Sequence, residues 1–200
     1  MAEQSPPRQS VTTGRAFFQN IGATQRQGID ASLQYKAPSW SAYLTYTYTD
    51  ATYRSGFVEG AGSNPAADAN GNITINPGAH LPGVPAHQGK LGLTYRITDQ
   101  WTFGAVAVAQ SSQYLFGDEA NLNPQLPGFV TLNLSTSYQI TPNIQLFAAA
   151  ENVTDSKYYT FGTFSPTTTV SLSQAPNATN PRSYSPAAPI GAFGGIRVTF

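Results

Sequence analysis

Hydrophobic and polar residues alternate along most of the chain with a period of two, which is the pattern of a β-strand with two different faces. In the segment 30–37, for example, Ala31, Leu33 and Tyr35 lie on one face and polar residues on the other. The same alternation predicts seven strands, at about 25–37, 40–54, 86–97, 100–115, 128–140, 143–151 and 190–200. A shorter alternation at Arg15–Ile21 allows an eighth strand.

The polar face, whose other residues are mostly Ser, Thr, Asn, Gln and Gly, carries six charged residues within these strands: Asp30, Lys36, Lys90, Arg96, Glu151 and Arg197. The outward face of a soluble β-sandwich usually carries many charges, whereas this face suits a water-filled or plugged lumen, with the apolar face against lipid. An Arg or Lys facing lipid would cost about 2–4 kcal/mol near the bilayer midplane. We therefore predict lumen-facing charges that pair with each other or with a plug: Arg26, Asp30, Lys90, Arg96, Glu151 and Arg197.

The connections between the predicted strands alternate between short and long. Tight turns lie at 37–39, 98–100 and 141–143, and long connections lie at roughly 55–84, 116–127 and 152–188. Outer-membrane barrels have this asymmetry, with short periplasmic turns and long extracellular loops. Aromatic residues flank the short turns and predict a periplasmic-side girdle, with ordinary cross-strand packing as the alternative: Tyr35, Trp40, Tyr95, Trp101 and Tyr138.

Composition supports a membrane barrel and excludes several other classes. Only 10% of the 200 residues are charged and the formal net charge is zero, which argues against a soluble helical protein and against nucleic-acid binding. The absence of cysteine excludes disulfides and thiolate metal sites. No apolar run is long enough for a transmembrane helix, and the first residues have no secretory signal pattern. We predict an all-β fold, an antiparallel transmembrane β-barrel segment at 16–200 behind a disordered lead-in at 1–15.

Several motifs, in this order, resemble one family. Residues 26–30 (Arg-Gln-Gly-Ile-Asp) resemble a strand opening of TonB-dependent outer-membrane receptors, and residues 81–87 (Leu-Pro-Gly-Val-Pro-Ala-His) resemble an entry into one of their late strands. Residues 151–159 (Glu-Asn-Val-Thr-Asp-Ser-Lys-Tyr-Tyr) are similar to a segment near the end of these receptors, and Phe200 is a terminal aromatic residue of the barrel type. The resemblance covers about 16–200 and matches only the C-terminal third of such a receptor, without its plug or its TonB-contacting box.

The resemblance implies a multi-pass barrel of the bacterial outer membrane that takes part in uptake of ferric siderophores or similar ligands. It implies contact with outer-membrane lipid, and with the barrel-assembly machinery through Ile196, Val198 and Phe200. Contact with TonB would need the plug region. Receptors of this family use loop aromatics and arginines to hold ferric chelates, which makes six loop residues candidate ligand contacts: Tyr53, Arg54, Tyr114, Phe116, Phe161 and Phe164. Tyr158 and Tyr159 could serve the ligand or an upper aromatic girdle.

Catalytic and metal sites have little support in the sequence. The two histidines, His80 and His87, have no recognisable catalytic partner, and no Gly-x-Ser-x-Gly motif is present. The segment 68–72 begins like a calcium loop, but Ala79 stands where the bidentate Glu is needed, so an Asn-Gly turn is expected. We predict no enzyme, cofactor or metal. The main alternative function is a free-standing eight-stranded barrel with a structural or adhesion role, and an outer-membrane enzyme is a more remote one.

Overall fold

The protein is described by a computed structural model that covers residues 22–167 and 179–200. Within those residues the secondary structure consists of strands: β1 Thr24–Lys36, β2 Trp40–Tyr53, β3 Phe57–Gly60, β4 Asn72–Ile75, β5 His87–Arg96, β6 Trp101–Gln110, β7 Phe129–Thr141, β8 Ile144–Glu151, β9 Tyr159–Phe164, β10 Arg182–Pro186 and β11 Gly191–Val198. Seven of them form one antiparallel sheet in the order β1-β2-β5-β6-β7-β8-β11. The others form two small ladders, β3 with β4 and β9 with β10.

The seven strands predicted from the alternation are confirmed, together with the all-β class. The fourth was expected to reach residue 115, but β6 ends at Gln110 because the chain then leaves the sheet for the loop 111–127. Strands β1, β2 and β7 have 13 or 14 residues, whereas the other four have 8 to 10, so only some exceed the 9–11 residues that cross a bilayer. The expected strand at 15–21 and lead-in at 1–15 lie outside the described residues. No helix among the described residues is long and apolar enough to cross a membrane.

The register of the sheet keeps the apolar residues in common rows. Leu33 pairs with Leu44, Leu44 with Leu91, Leu91 with Ala107, and Ala107 with Leu132. Because successive side chains of a strand point to opposite faces, the row of Thr45 and Lys90 lies on the other face. Leu33 is 66% exposed and Leu91 53% exposed, so protein does not cover the apolar face. The predicted division into an apolar and a polar face is confirmed by this register.

The hydrophobic core lies at one end of the sheet, where it includes the last residues of β2. The buried side chains of Ala51 and Tyr53 pack with Ile73, Ile75 and Leu81. We call this region the cap: it comprises the hairpin of β3 and β4, the loop 111–127 and the ladder of β9 and β10. Ala51 and Tyr53 have the same parity along β2 as Thr45, so the cap packs on the polar face of the sheet.

Candidate functional site

The loop 111–127 is organised around a buried carboxylate. Asp118 is fully buried and accepts hydrogen bonds from the Leu122 amide (3.1 Å), the Asn123 amide (3.0 Å) and the Asn123 side chain (2.9 Å). Burying a carboxylate is costly unless donors replace the lost water, and these three donors do so. Asp118 therefore fixes the shape of the loop from within.

Asn64 joins the hairpin to the loop 111–127. Its Nδ2 donates to the Gly117 carbonyl (2.5 Å), and its Oδ1 accepts from Asn123 Nδ2 (2.8 Å) and from the Ala66 amide (2.9 Å). The side chain is buried, so these bonds are shielded from water. Asn64 thus connects the hairpin of β3 and β4 with the loop 111–127.

The two histidines, His80 and His87, make contacts that hold neighbouring parts of the fold together. The His80 amide donates to Asn121 Oδ1 (2.5 Å) and the His80 carbonyl accepts from Asn121 Nδ2 (2.9 Å), while its ring lies 3.8 Å from Asp50 and stacks on Tyr114. His87 begins β5, and its Nδ1 is 2.8 Å from the Tyr46 hydroxyl. In the described part of the chain, no group of three His, Cys, Asp or Glu side chains could hold a metal ion.

The segment 68–72 forms the expected turn. Asp68 Oδ1 accepts from the amides of Asn70 and Asn72, both at 2.8 Å, and Gly71 has a φ of +75°. The Gly71 amide also donates to the Asp68 carbonyl (2.9 Å), which closes the turn. One oxygen of the Asp68 carboxylate is therefore used by the backbone of its own turn.

Two of the six candidate ligand residues form an exposed aromatic pair. The rings of Phe116 and Phe161 stack with centroids 5.1 Å apart and remain 45% and 41% exposed. The Phe116 amide donates to the Gly162 carbonyl (3.0 Å), which ties the loop 111–127 to β9. Phe164, on the same strand, reaches Gly117 next to Phe116. An exposed pair of stacked rings on a rigid support can bind the apolar or aromatic part of a ligand.

The other three candidates lie apart from this aromatic pair. Tyr114 stacks on His80, and Arg54 is exposed just beyond the end of β2. Tyr53 is only 4% exposed and packs edge to face on Phe57, so its ring belongs to the core of the cap and has little surface for a ligand. Its burial follows from the alternation of β2, which turns it towards the hairpin.

The motif at 151–159 builds the turn that begins the long loop after β8. Asn152 is buried with a φ of +49°, and its side chain accepts from the Ser156 amide (3.0 Å) and donates to the Ser156 carbonyl (2.9 Å). Its own amide donates to Asn133 Oδ1 (2.8 Å) on β7. Asparagine suits this position because it tolerates the left-handed backbone and bonds its neighbours.

On the polar face, three of the six predicted charges contact uncharged groups. Asp30 accepts from the Thr47 hydroxyl (2.7 Å), Arg197 donates to Gln145 Oε1 (3.4 Å), and Lys90 Nζ lies 6.0 Å from the centre of the Tyr43 ring. No ion pair joins any two of the six, all of which lie within the described residues. These six charges therefore do not form ion pairs with one another across the barrel wall. Contact between them and a plug stays a prediction.

One pair of acidic residues escaped the sequence analysis. Glu59 on β3 and Glu119 in the loop 111–127 both belong to the cap. Burial, followed by the neighbouring Glu119 carboxyl group, raises the pKa of Glu59 to about 8. No local pattern could have found this pair, because its members lie on separate loops far apart in the sequence.

The comparison with known families identifies the chain. A sequence profile described as "TonB dependent receptor-like, beta-barrel" matches residues 3–153. The chain belongs to the TonB-dependent receptor family. A probable TonB-dependent siderophore receptor of Acinetobacter baumannii, PiuA, is 27% identical over 147 residues, which are 72% of this chain and 18% of PiuA. The metal-pseudopaline receptor CntO of Pseudomonas aeruginosa is 30% identical over 96 residues, 46% of this chain and 13% of CntO.

Solved receptor structures have the same fold. The siderophore receptor PiuA of A. baumannii matches 88% of the chain with a TM-score of 0.64 at 21% identity, and the ferric yersiniabactin uptake receptor FyuA of Yersinia pestis matches 88% with a TM-score of 0.60 at 16% identity. The matched parts are 22% and 24% of those two chains. The chain therefore spans less than a quarter of the length of the TonB-dependent receptors it matches.

Proposed function

We propose that this chain is part of an outer-membrane receptor that takes up ferric siderophores or similar metal chelates in a TonB-dependent manner, with residues 16–200 forming a C-terminal segment of its barrel. The observation that carries the proposal is the open antiparallel sheet whose polar face is covered at one end by a cap of long loops. A cap over the mouth of a lumen is where an external ligand would first meet a receptor. PiuA, FyuA and CntO, which are receptors for a siderophore, ferric yersiniabactin and metal-pseudopaline, support the ligand class.

The two edges of the sheet support a longer barrel. Seven strands alternate in direction from β1 to β11, so the two edge strands run in the same direction. They cannot close on each other as an antiparallel pair, and closure needs an odd number of further strands. Unpaired edge groups in lipid cost several kcal/mol each, which is why spanning sheets close. We infer that strands beyond the described residues complete the barrel; a single strand at 15–21 would instead give the eight-stranded alternative.

Two aromatic belts on the apolar face support a membrane position. At the short-turn end, the Tyr35 and Trp40 rings lie 4.8 Å apart and Trp101 Nε1 donates to the Thr136 hydroxyl (2.8 Å). At the cap end, the Tyr48 and His87 rings lie 5.2 Å apart, tilted by 33°. The eight-residue step from Trp40 to Tyr48 is about 26 Å along the strand, or about 20 Å of height at the usual tilt, close to the apolar band of a barrel. Ile196 and Val198 of β11, with Phe200 after the strand, would present the signal for the assembly machinery.

For the ligand we propose the aromatic pair of Phe116 and Phe161, with Phe164 beside it. Tyr114 and Arg54 lie apart from the pair, and the exposed Arg54 is available to an anionic chelate. Cationic and aromatic side chains suit those ferric chelates that carry negative charge and aromatic rings. TonB would act through a plug that sits against the polar face. The role is that of a receptor and transporter part, and we assign no enzymatic step.

Growth on a ferric siderophore tests the proposal. One strain would carry residues 1–200 behind a signal peptide, and a second would carry the same residues grafted into the matching segment of an intact receptor. We expect TonB-dependent growth from the graft only, because the seven strands of the described residues leave two edges that cannot pair with each other. Growth of the first strain would overturn the proposal and favour a self-sufficient small barrel. Failure of a correctly inserted graft to support growth on any ferric chelate would count against the transport role.

A further inference from the structure

A groove crosses the apolar face of the sheet near its cap end. One row of paired residues runs across β2, β5, β6 and β7 through Tyr46, Gly89, Ala109 and Val130. The two small residues lie between the two large ones, so the middle of the row is a depression. A Cβ atom at position 89 would meet only the Thr45 carbonyl oxygen, at 3.9 Å, so the space above Gly89 is open. The cavity has a volume of about 580 Å³.

The two ends of this groove differ in polarity. His87 lies one row nearer the cap than Gly89, on the same face of β5. Its amide donates to Ser111 Oγ (3.1 Å), and its carbonyl accepts from the Ser111 amide (2.9 Å). In the opposite direction the next row is apolar and contains Leu91 and Leu132. The groove is therefore polar at the cap end and apolar below it.

The Tyr46 hydroxyl holds one nitrogen of the His87 ring. The hydroxyl oxygen lies 2.8 Å from Nδ1, whereas Nε2 has no hydrogen bond to any described residue. When Tyr46 donates to Nδ1, the proton of the neutral ring lies on Nε2, and a protonated ring carries a proton there as well. Since His87 is exposed, Nε2 is a free donor at the polar end of the groove.

The position of the groove favours a lipid over a water-soluble ligand. Its floor is continuous with the exposed row of Leu44 and Leu91, on the face that we place against lipid. No Asp, Glu, Lys or Arg is found among the described residues that line it. His87 belongs to the cap-end aromatic belt, which is the height at which lipid headgroups meet water. A phosphate oxygen there is a strong acceptor for an imidazole N–H, and an acyl chain suits the apolar floor.

We propose that this groove binds a membrane lipid that has a phosphate in its headgroup. His87 Nε2 donates to a phosphate oxygen, Tyr46 orients the ring through Nδ1, and an acyl chain lies over Gly89 and Ala109. The inference rests on the membrane position in the proposed function and is independent of the transported ligand. It also gives a role to the last residue of the motif at 81–87, which the receptor role leaves unexplained.

Histidine ring NMR tests the headgroup contact. The chain has two histidines, so labelled histidine gives one ring signal from His87 and one from His80, which stacks on Tyr114 in the cap and serves as the internal control. The full chain in a maltoside detergent would be titrated at constant pH with dioctanoylphosphatidylglycerol, with dioctanoylglycerol, which lacks the phosphate, and with inorganic phosphate. We expect a saturable shift of the His87 signal with the phospholipid only, and no shift of His80.

Each other outcome of this titration would overturn the proposal. An equal shift of the His87 signal with inorganic phosphate would indicate an anion site that does not need a lipid. An equal shift with dioctanoylglycerol would show that the phosphate is not recognised. No shift with any of the three, or equal shifts of both histidines with the phospholipid, would show that the groove is not a specific site.

Substitutions test the two ends of the groove separately, with phospholipid affinity measured by native mass spectrometry and folding checked by circular dichroism. His87→Phe keeps a ring in the belt but removes the donor, and we expect about tenfold weaker binding, as for loss of a hydrogen bond to a charged group. Gly89→Leu fills the groove, leaves His87 in place and should weaken binding by a similar factor. The matched control Ala105→Leu adds the same bulk to the same face two rows away and should bind like the wild type. Wild-type affinity in either groove variant, or an equal loss in the control, would refute the site.

The lipid site and the transport role can fail independently. A grafted receptor that supports growth on a ferric siderophore but binds no phospholipid at His87 would overturn the lipid site alone. Phospholipid binding at His87 in a correctly inserted graft that supports no growth would count against the transport role alone.

Discussion

The ring of Phe116 lies directly over the backbone of Gly83, so that a Cβ atom at position 83 would come within 2.3 Å of Phe116 Cζ. Gly83 also has a φ of +71°, a left-handed conformation that side chains rarely adopt. Because Gly83 has no side chain, the segment between β4 and β5 leaves room for the Phe116 ring to stack on Phe161. This contact links the entry of β5 to the proposed ligand surface.

Gly83→Ala should therefore displace Phe116 and loosen the cap. We expect a loss of about 1–3 kcal/mol in unfolding free energy, from backbone strain and overpacking together, measured by denaturant titration of the detergent-solubilised chain. The matched control is Gly78→Ala, because Gly78 has a φ of +94° and nothing within 4 Å of its Cβ position. The control introduces strain alone, so equal losses in the two variants would contradict the contact with Phe116.

Asp118→Asn should destabilise the cap more than the same change at an exposed turn. The side-chain amide introduced by this substitution would turn an NH₂ group, in place of an acceptor oxygen, towards the backbone donors of Leu122 and Asn123. We expect a loss of about 1–3 kcal/mol, since a buried donor is left without a partner. Asp68→Asn is the control, because Asp68 makes similar bonds to its turn but is less buried than Asp118. If Asp68→Asn lowers the unfolding free energy as much as Asp118→Asn does, burial is not the cause of the destabilisation.

The strands could be predicted because their pattern is local. The alternation around Leu33 and Leu44 reports which side of a pleated strand each residue occupies, and this geometry holds whatever the strand pairs with. The short ladder of β3 and β4 was not predicted, because four residues with a glycine and a charge, as in Phe57–Gly60, carry too little alternation.

The candidate site was predicted less completely because it depends on contacts between distant loops. Phe116 and Phe161 were recognised by residue type, but their stacking and the role of Gly83 required the folded cap. Tyr53 was chosen as an aromatic residue near a loop, and only the hairpin that covers it shows that it is buried. Glu59 and Glu119 gave no signal in the sequence at all.

Neighbouring residues of β5 offer a direct test of the two faces. Leu93 lies in the apolar row with Ala42 and Ala105, whereas Thr94 lies in the polar row with Ser41 and Gly104. Leu93→Arg should impair assembly of the grafted receptor in the outer membrane, since the charge would cost about 2–4 kcal/mol against lipid. Thr94→Arg should be tolerated in the lumen. The measurement is heat-modifiable migration of the folded receptor in gel electrophoresis; equal loss in both variants would contradict a lipid-facing Leu93.

The aromatic pair of the cap should contribute directly to ligand binding in the grafted receptor. Phe161→Ala removes one of the two stacked rings and leaves Phe116 without the partner that orients it. Ring stacking is worth about 0.5–1.5 kcal/mol, so the affinity for a ferric chelate with aromatic groups should fall by about two- to tenfold. Leu122→Ala serves as the control because Leu122 is an exposed apolar residue of the same cap without a ring. Fluorescence quenching on titration with the chelate measures both affinities, and an unchanged affinity in Phe161→Ala would remove the aromatic pair from the proposed site.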